Sequence, residues 1–337
     1  MSSELLQKEK SIQFYDDRYQ SGYMDDWPNS KKERVKEIIR GLPLPQSGIA
    51  IDFGCGSGVF TEVLQQALPG WSIYGCDIST QAIELAKQRF PACTFFVSGD
   101  PVFANLKFDF LLSHHVLEHV YDLQKTTDEV NNLLKPHAAM LHIFPCGNQG
   151  SFEYTICAVR TDGINPELGN RFFFEDIGHL RRLTTSQTAE ALAGYGFGLS
   201  AEFYSNQFFG ALQWLSEYDK GFLLDFTDPS KSKDQAASGD LIKWRKKLLA
   251  YRADRFFVQQ HSYLSLFRSV VFYIKALVKH AWYLFYLPLA RYRIRRLDRQ
   301  AAEEWSSRRT DPRGSEMYLF FTRPAAGSSD TAKTTTL

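Results

Sequence analysis

The chain has 337 residues, and its 39 Lys+Arg are balanced by 38 Asp+Glu, so it is long enough for one large domain with an elaboration and is nearly neutral. That balance excludes any inference of nucleic-acid binding from bulk charge. The five cysteines (Cys55, Cys76, Cys93, Cys146, Cys157) form neither a C-x-x-C pair nor a zinc spacing, which fits reduced thiols better than a disulfide framework.

The opening M-S-S-E-L-L-Q-K-E-K has no apolar signal-peptide core, so a cytoplasmic protein is expected. Residues 1–45 read as N-terminal cap helices. Ser11 to Tyr23 is aromatic and amphipathic, and Lys31 to Leu42 carries Val35, Ile38 and Ile39 at helical spacing. Tyr15 and Tyr19 lie four apart on one helical face, where their rings can either meet a cation or pack on the core.

Ile49 to Gly58, I-A-I-D-F-G-C-G-S-G, is an apolar strand ending in an acid and a glycine loop, followed by a helix from Val59 to Leu68. Such a turn presents backbone N–H groups and a positive helix end to a ligand. A dinucleotide fingerprint spaces its glycines G-x-G-x-x-G, whereas here Gly58 comes one residue early and Asp52 stands two before Gly54. An acid in that place repels a pyrophosphate and attracts an ammonium.

Trp71 to Ile78 reads as the second strand and ends in Asp77, about 20 residues past the loop, where one carboxylate suits two vicinal ribose hydroxyls. Gln81 to Phe90 is the next helix and Cys93 to Val97 the third strand, followed by Gly99 and Asp100. Phe108 to Ser113 is strand four. It leads into H-H-V-L-E-H-V, His114 to Val120, which periodicity extends as a helix through Leu123, Val130 and Leu134 to a stop at Pro136. Ala138 to Pro145 is strand five, Thr184 to Tyr195 a helix, Gly198 to Tyr204 strand six and Met317 to Thr322 a late short strand. The alternation predicts an α/β fold: a doubly wound, Rossmann-like sheet with ligands at the carboxyl ends of its strands.

In ordered combination, D-F-G-C-G-S-G, Asp77, Gly99-Asp100, V-L-E-H-V and the late strand resemble class I S-adenosylmethionine-dependent methyltransferases. The signature looks closest to small-molecule enzymes of the ubiquinone-biosynthesis type and of polysaccharide pathways. The resemblance implies a seven-stranded sheet whose last strand is antiparallel, with S-adenosyl-L-methionine as cofactor. On that reading residues 46–205 and 315–323 form the methyltransferase domain, 206–314 a helical insertion between strands six and seven, and 324–337 a disordered tail. The cofactor-binding set is Asp52, Gly54, Cys55, Gly56, Gly58, Asp77, Ile78, Gly99, Asp100 and His114. The resemblance puts Asp100 at the adenine amino group; a turn Asp is the other reading. A nicotinamide-dependent oxidoreductase and a non-catalytic binding module are the alternatives, the first opposed by Asp52 and the glycine spacing.

Methyl transfer to an alcohol or phenol needs a proton acceptor, which singles out His115, His119 and His179 as catalytic candidates. On a helix, His115 and His119 share a face with Glu118. The related ubiquinone-pathway enzymes associate E-x-x-E-H at this place with a divalent metal. With His115 replacing the first acid, no metal is expected, and His115, Glu118 and His119 are kept as the alternative ligand set. Gly147 to Leu183, long for a connection, is expected to be an acceptor-binding lid, with His179 a base or a structural histidine, and Arg181 and Arg182 an anion clamp or part of a solvated face.

Within the insertion, Tyr263 to Leu289 is apolar and aromatic but interrupted by Arg268, Lys275 and Lys279 on one sector. Pro288 is expected to break it before R-Y-R-I-R-R-L-D-R. That pattern leaves two partners open: a peripheral membrane contact through 263–299 at the inner face of the plasma membrane, serving a lipid-linked acceptor, or internal packing and a homodimer. A small or lipid-linked acceptor is expected, with no nucleic-acid partner.

Overall fold

The computed structural model describes residues 13–19, 22, 27–262 and 270–323, with side chains described outside 260–285. The chain divides into two compact units. One comprises Met1–Pro145, Thr185–Glu202 and Tyr318–Leu337, the other Cys146–Thr184 and Phe203–Met317.

The first unit begins with helices α1 (13–19) and α2 (Asn29–Gly41). It continues through β1 (Ile49–Phe53), α3 (Val59–Ala67), β2 (Ser72–Asp77), α4 (Thr80–Arg89), β3 (Thr94–Val97), β4 (Phe108–His114), α5 (Leu123–Leu133) and β5 (Leu134–Pro145). After the second unit's first segment come α7 (Thr185–Ala193), β8 (Gly198–Ser205) and β9 (Glu316–Thr322). The seven-stranded sheet has the order β3-β2-β1-β4-β5-β9-β8, with its last strand antiparallel. Central strands buried on both faces read as continuous apolar runs, and Ala50, Ile51, Phe110, Leu111, Leu112, Met140 and Leu141 accordingly lie in the core. Because β2 and β3 lie on one side of β1 and β4 on the other, the strand order reverses at β1/β4. The register pairs Phe53 with both Cys76 and Ser113 and so brings the three strand ends level. A crevice opens at such a reversal.

Two expectations along this unit are corrected. His114 to Val120 is not the start of a helix: β4 runs through His114, and the His115 N–H still donates to Ile143 O at 2.7 Å. His115 then turns into the left-handed region (φ 56°), and α5 starts only at Leu123, where the Asp122 side chain accepts from the Lys125 N–H. A sheet bond and an N-cap outweigh the apolar periodicity. Nor does Pro136 end the helix; it lies near the start of β5, where the register shifts and a missing donor is tolerated.

The second unit contains α6 (Phe152–Ala158) and a short hairpin of β6 (Ile164–Asn165) and β7 (Arg171–Phe172). Four further helices follow: α8 (Phe209–Leu215), α9 (Lys220–Phe226), α10 (Gln235–Ser262) and α11 (Val270–Arg308). Phe152, Ile156, Cys157 and Phe172 share one core with Leu212, Leu223, Leu241 and Leu297. The stretch expected as a lid therefore builds a common core with the insertion.

Charge inside this unit is paired. Arg182 donates from Nε to Glu175 at 2.6 Å and from Nη1 to Cys146 O at 2.9 Å, and lies 3.4 Å from Glu153, its guanidinium over the Phe172 ring. Burial pushes Glu153 up to about 7, while Arg182 and His179 overcome the burial of Glu175 and hold its carboxyl low, so Arg182 and Glu175 are the ionised pair. Arg182 is thus a buried structural cation and not an exposed anion clamp.

Pro288 does not break α11. The missing bond costs about 3 kcal/mol, but Asp254 of α10, fully buried, accepts from Tyr286 Oη at 2.7 Å and Arg293 Nε at 2.7 Å, clamping the helix on both sides of the proline. Further along, Glu304 accepts the N–H groups of Phe208, Phe209 and Gly210 at 2.9–3.0 Å, capping α8 from a residue far away in sequence. The polar sector of Arg268, Lys275 and Lys279 and the tail from Pro324 lie outside the described residues and side chains. Among the described residues no helix is long and apolar enough to cross a membrane, and all five cysteines are free and buried.

Candidate cofactor and acceptor site

At the carboxyl ends of β1 and β2 the glycine loop is tied down by its own backbone. The Gly54 and Cys55 N–H groups both donate to Cys76 O at 2.8 and 2.9 Å, and the Gly56 N–H donates to Asp77 Oδ2 at 2.9 Å. Gly54, Gly56 and Gly58 all have positive φ. The first two are also sterically required: a Cβ on Gly54 would lie 2.4 Å from Val116 Cγ2, and one on Gly56 2.5 Å from the Tyr19 hydroxyl. Gly58 serves as the left-handed N-cap of α3 and does not line the cavity described next.

The loop forms one side of a cavity of about 460 Å³, ample for a nucleoside-sized ligand. Asp52, Gly54, Cys55, Gly56, Asp77, Ile78, Gly99, His114, His115 and His119 all line it, as do Tyr15 and Tyr19. Asp77 receives one backbone N–H on each oxygen, from Gly56 on Oδ2 and from Ser79 on Oδ1 at 2.9 Å, which orients the carboxylate and leaves further lone pairs for hydroxyl donors. Burial raises its pKa against these bonds. Asp52 accepts from Thr61 Oγ1 at 2.7 Å on Oδ2, while its buried Oδ1 has no partner among the described residues. Burial pushes this carboxyl up to about 7, opposed by Thr61 and assisted by the charge on Asp77.

The histidines occupy the segment after β4. His114 is stacked on Phe60 (3.6 Å between ring centroids, 22°) and meets the Trp27 ring edge-on at 4.8 Å. His115 places Nδ1 2.9 Å from Glu118 Oε1 and Nε2 3.0 Å from Lys31 Nζ. A lysine ammonium only donates, so Nε2 accepts and the proton sits on Nδ1, on the side of the carboxylate. The ammonium also lies 4.0 Å over the Trp27 ring. His119 Nε2 is 3.9 Å from the same Glu118 oxygen, and its ring packs edge-on against Tyr15. Glu118, 1% exposed, thus stands between two imidazoles. His115 and His119 are brought together by this carboxylate and not by a shared helical face. As a metal set, His115, Glu118 and His119 is a poor fit, because both nitrogens of His115 are engaged and one faces a cation.

Asp100 does not line the cavity; its side chain accepts from the Val102 N–H and caps the turn after β3. His179 belongs to the second unit, with Nδ1 3.8 Å from Glu175. Sequence patterning missed Lys31, Trp27, Phe60 and Thr61. The signal for Thr61 was a hydroxyl in the first turn of the helix after the glycine loop; the others carry no local signal.

The fold and the glycine-loop turn are those of class I S-adenosylmethionine-dependent methyltransferases. Residues 51–140 match the family model described as a methyltransferase domain. Over 112 residues the chain is 31% identical to the trans-aconitate 2-methyltransferase of Escherichia coli, covering 28% of this chain and 44% of that protein. To the enzyme of the same name from Variovorax paradoxus it is 26% identical over 102 residues, covering 27% and 39%. It thus spans less than half the length of these curated relatives. Among solved structures, a TehB-like SAM-dependent methyltransferase from Corynebacterium glutamicum aligns at 18% identity over 59% of this chain and 87% of that one, with a TM-score of 0.36. The PH0226 protein from Pyrococcus horikoshii aligns at 21% identity over 52% and 84%, with a TM-score of 0.41.

S-adenosyl-L-methionine is the cofactor of this class, and the residues fit it. The orphaned Asp52 Oδ1 suits its ammonium, Asp77 suits its ribose, and the side-chain-free loop leaves room for close backbone approach.

Proposed function

We propose that the chain transfers a methyl group from S-adenosyl-L-methionine to an oxygen of a small or lipid-linked metabolite. The observation that carries the reading is a single cavity whose lining combines the glycine loop, Asp52 and Asp77 with three imidazoles. When bound, the cofactor supplies an electrophilic methyl group on a sulfonium. Asp77 holds the ribose, Asp52 the ammonium, Gly99 borders the base, and Tyr15 and Tyr19 offer ring faces to the sulfonium.

The protein's task is then to hold the acceptor oxygen in line with the methyl group. For a hydroxyl acceptor, His119 takes the proton as the oxygen–carbon bond forms, and Glu118 stabilises the resulting imidazolium; His115, held neutral between Lys31 and Glu118, orients that carboxylate. For a carboxylate acceptor, which the names of the curated relatives favour, no proton is removed and His119 acts as a donor.

Calorimetric titration with S-adenosylmethionine and with NAD checks the cofactor, and transfer of label from the donor to cell extract, split into aqueous and lipid fractions, identifies the acceptor class. Donor binding without NAD binding is expected, with label entering one metabolite fraction. NAD binding without donor binding, or donor binding with no label transferred to either fraction, would sink the proposal.

A further inference from the structure

The described end of α11 presents a band of cations with no counterpart in the methyltransferase site. Arg291, Arg295 and Arg299 recur at intervals of four, Arg296 lies beside them, and all four are exposed. At 3.6 residues per turn these positions share one side of the helix, and Ala290, Leu297 and Ala301 on the opposite side are buried. None of the four arginines has an ion-pair partner among the described residues. The nearby carboxylates are engaged elsewhere or lie at the edge: Asp298 bonds Arg255 and Gln213, Asp254 bonds Arg293, and Glu303 ends the band one turn beyond Arg299.

Interleaved with the arginines on the same side are Leu289, 47% exposed, and Tyr292, 57% exposed. Arg291 to Arg299 covers about 12 Å of helix, comparable with the distance of about 10 Å over which charges act unscreened at 0.1 M salt. This is a convex basic face with an apolar and an amphipathic side chain set among its charges. Anionic headgroups complement the guanidinium groups, and the shallow interfacial layer accepts the leucine and the tyrosine. A nucleic acid would answer the arginines but offers nothing to an exposed leucine on a convex helix. The sequence just before the band, A-W-Y-L-F-Y-L-P-L-A from Ala281, is apolar and aromatic, as interfacial segments are.

We propose that this arginine face of α11 is a docking surface for an anionic lipid bilayer, holding the second unit against the membrane by headgroup contacts without insertion of a spanning helix. The inference stands apart from the identity of the methyl acceptor, which can be aqueous or lipid-linked.

The test is sedimentation of the full chain with vesicles of phosphatidylcholine alone and of phosphatidylcholine with phosphatidylglycerol, at low and at 0.5 M salt. The chain is expected to bind the anionic vesicles, to ignore the neutral ones and to be released by salt. Each basic residue near such a surface contributes roughly five-fold, so the combined variant R291Q/R295Q/R296Q/R299Q should lose on the order of a hundred-fold or more in partitioning. K243Q/K246Q, changing exposed lysines of α10, should lose far less. The single variant Arg296→Glu provides the same comparison with minimal disturbance should the combined variant fail to fold. Equal binding to neutral vesicles, retention of anionic binding by the folded arginine variants, or tighter binding to a DNA or RNA duplex than to anionic vesicles overturns the proposal.

Discussion

The two units handle buried charge differently. In the first, Asp52 and Asp77 are buried beside a cavity and are held by backbone N–H groups and one hydroxyl, with their pKa values raised by burial. In the second, Arg182, Glu175 and Arg293 with Asp254 are matched charge for charge. A carboxylate that lacks a cation is costly to the free protein and available to a positively charged ligand. A carboxylate that already has one is spent on the fold. The contrast separates groups kept for binding from groups kept for architecture.

The largest expected effect falls on the architectural side. Arg182→Ala leaves Glu175 buried without its guanidinium partner and should cost about 3–5 kcal/mol, read as a lower midpoint in denaturant unfolding; an unchanged midpoint would show that the pair does not hold the fold. Next comes Asp77→Ala, which removes the proposed ribose acceptor and the anchor of the Gly56 N–H and should weaken donor binding by about a hundred-fold, measured by calorimetry. Glu304→Gln keeps the shape of the α8 cap but not its charge, and a loss of about 1–2 kcal/mol in thermal or denaturant stability is expected.

The smallest effect is the most specific to the binding side. Because the Asp52 carboxyl is raised to about 7 in the free protein, it is largely protonated below that pH and ionised above it. The folded protein therefore holds a proton between the ordinary carboxylate range and 7 that the unfolded chain has released, so burial of Asp52 costs stability progressively as pH rises across that window. A cationic ligand reverses the preference. Donor affinity should rise with pH up to about 7, by at most about tenfold per pH unit, and Asp52→Asn should flatten that slope. Calorimetry between pH 5.5 and 7.5 makes the measurement.

Much of the cofactor half was legible because its signals are local. The alternation of strand and helix from Ile49 to Pro145, the glycines at positive φ and Asp77 two residues before an N–H it accepts all sit within short windows of sequence. The histidine segment misled because apolar periodicity cannot see a strand bond from Ile143 or a cap at Asp122. Pro288 misled for the same reason, since its rescue by Asp254 comes from another helix.

The doubly wound sheet, the glycine loop and the acids beside it were legible in the sequence, because they follow from periodicity and backbone conformational preference over a few residues; the methyl-donor class came from the resemblance of those motifs, taken in order, to a known family. Only the tertiary structure decided that Glu118 stands between His115 and His119, that Lys31 reaches His115 from 84 residues away, that Arg182 is a core cation, and that four arginines of α11 share one exposed side. The pairings of Lys31 with His115 and of Arg182 with Cys146 and Glu153 depend on packing between distant segments, where burial and the need to satisfy each polar atom, and not local propensity, select the partner.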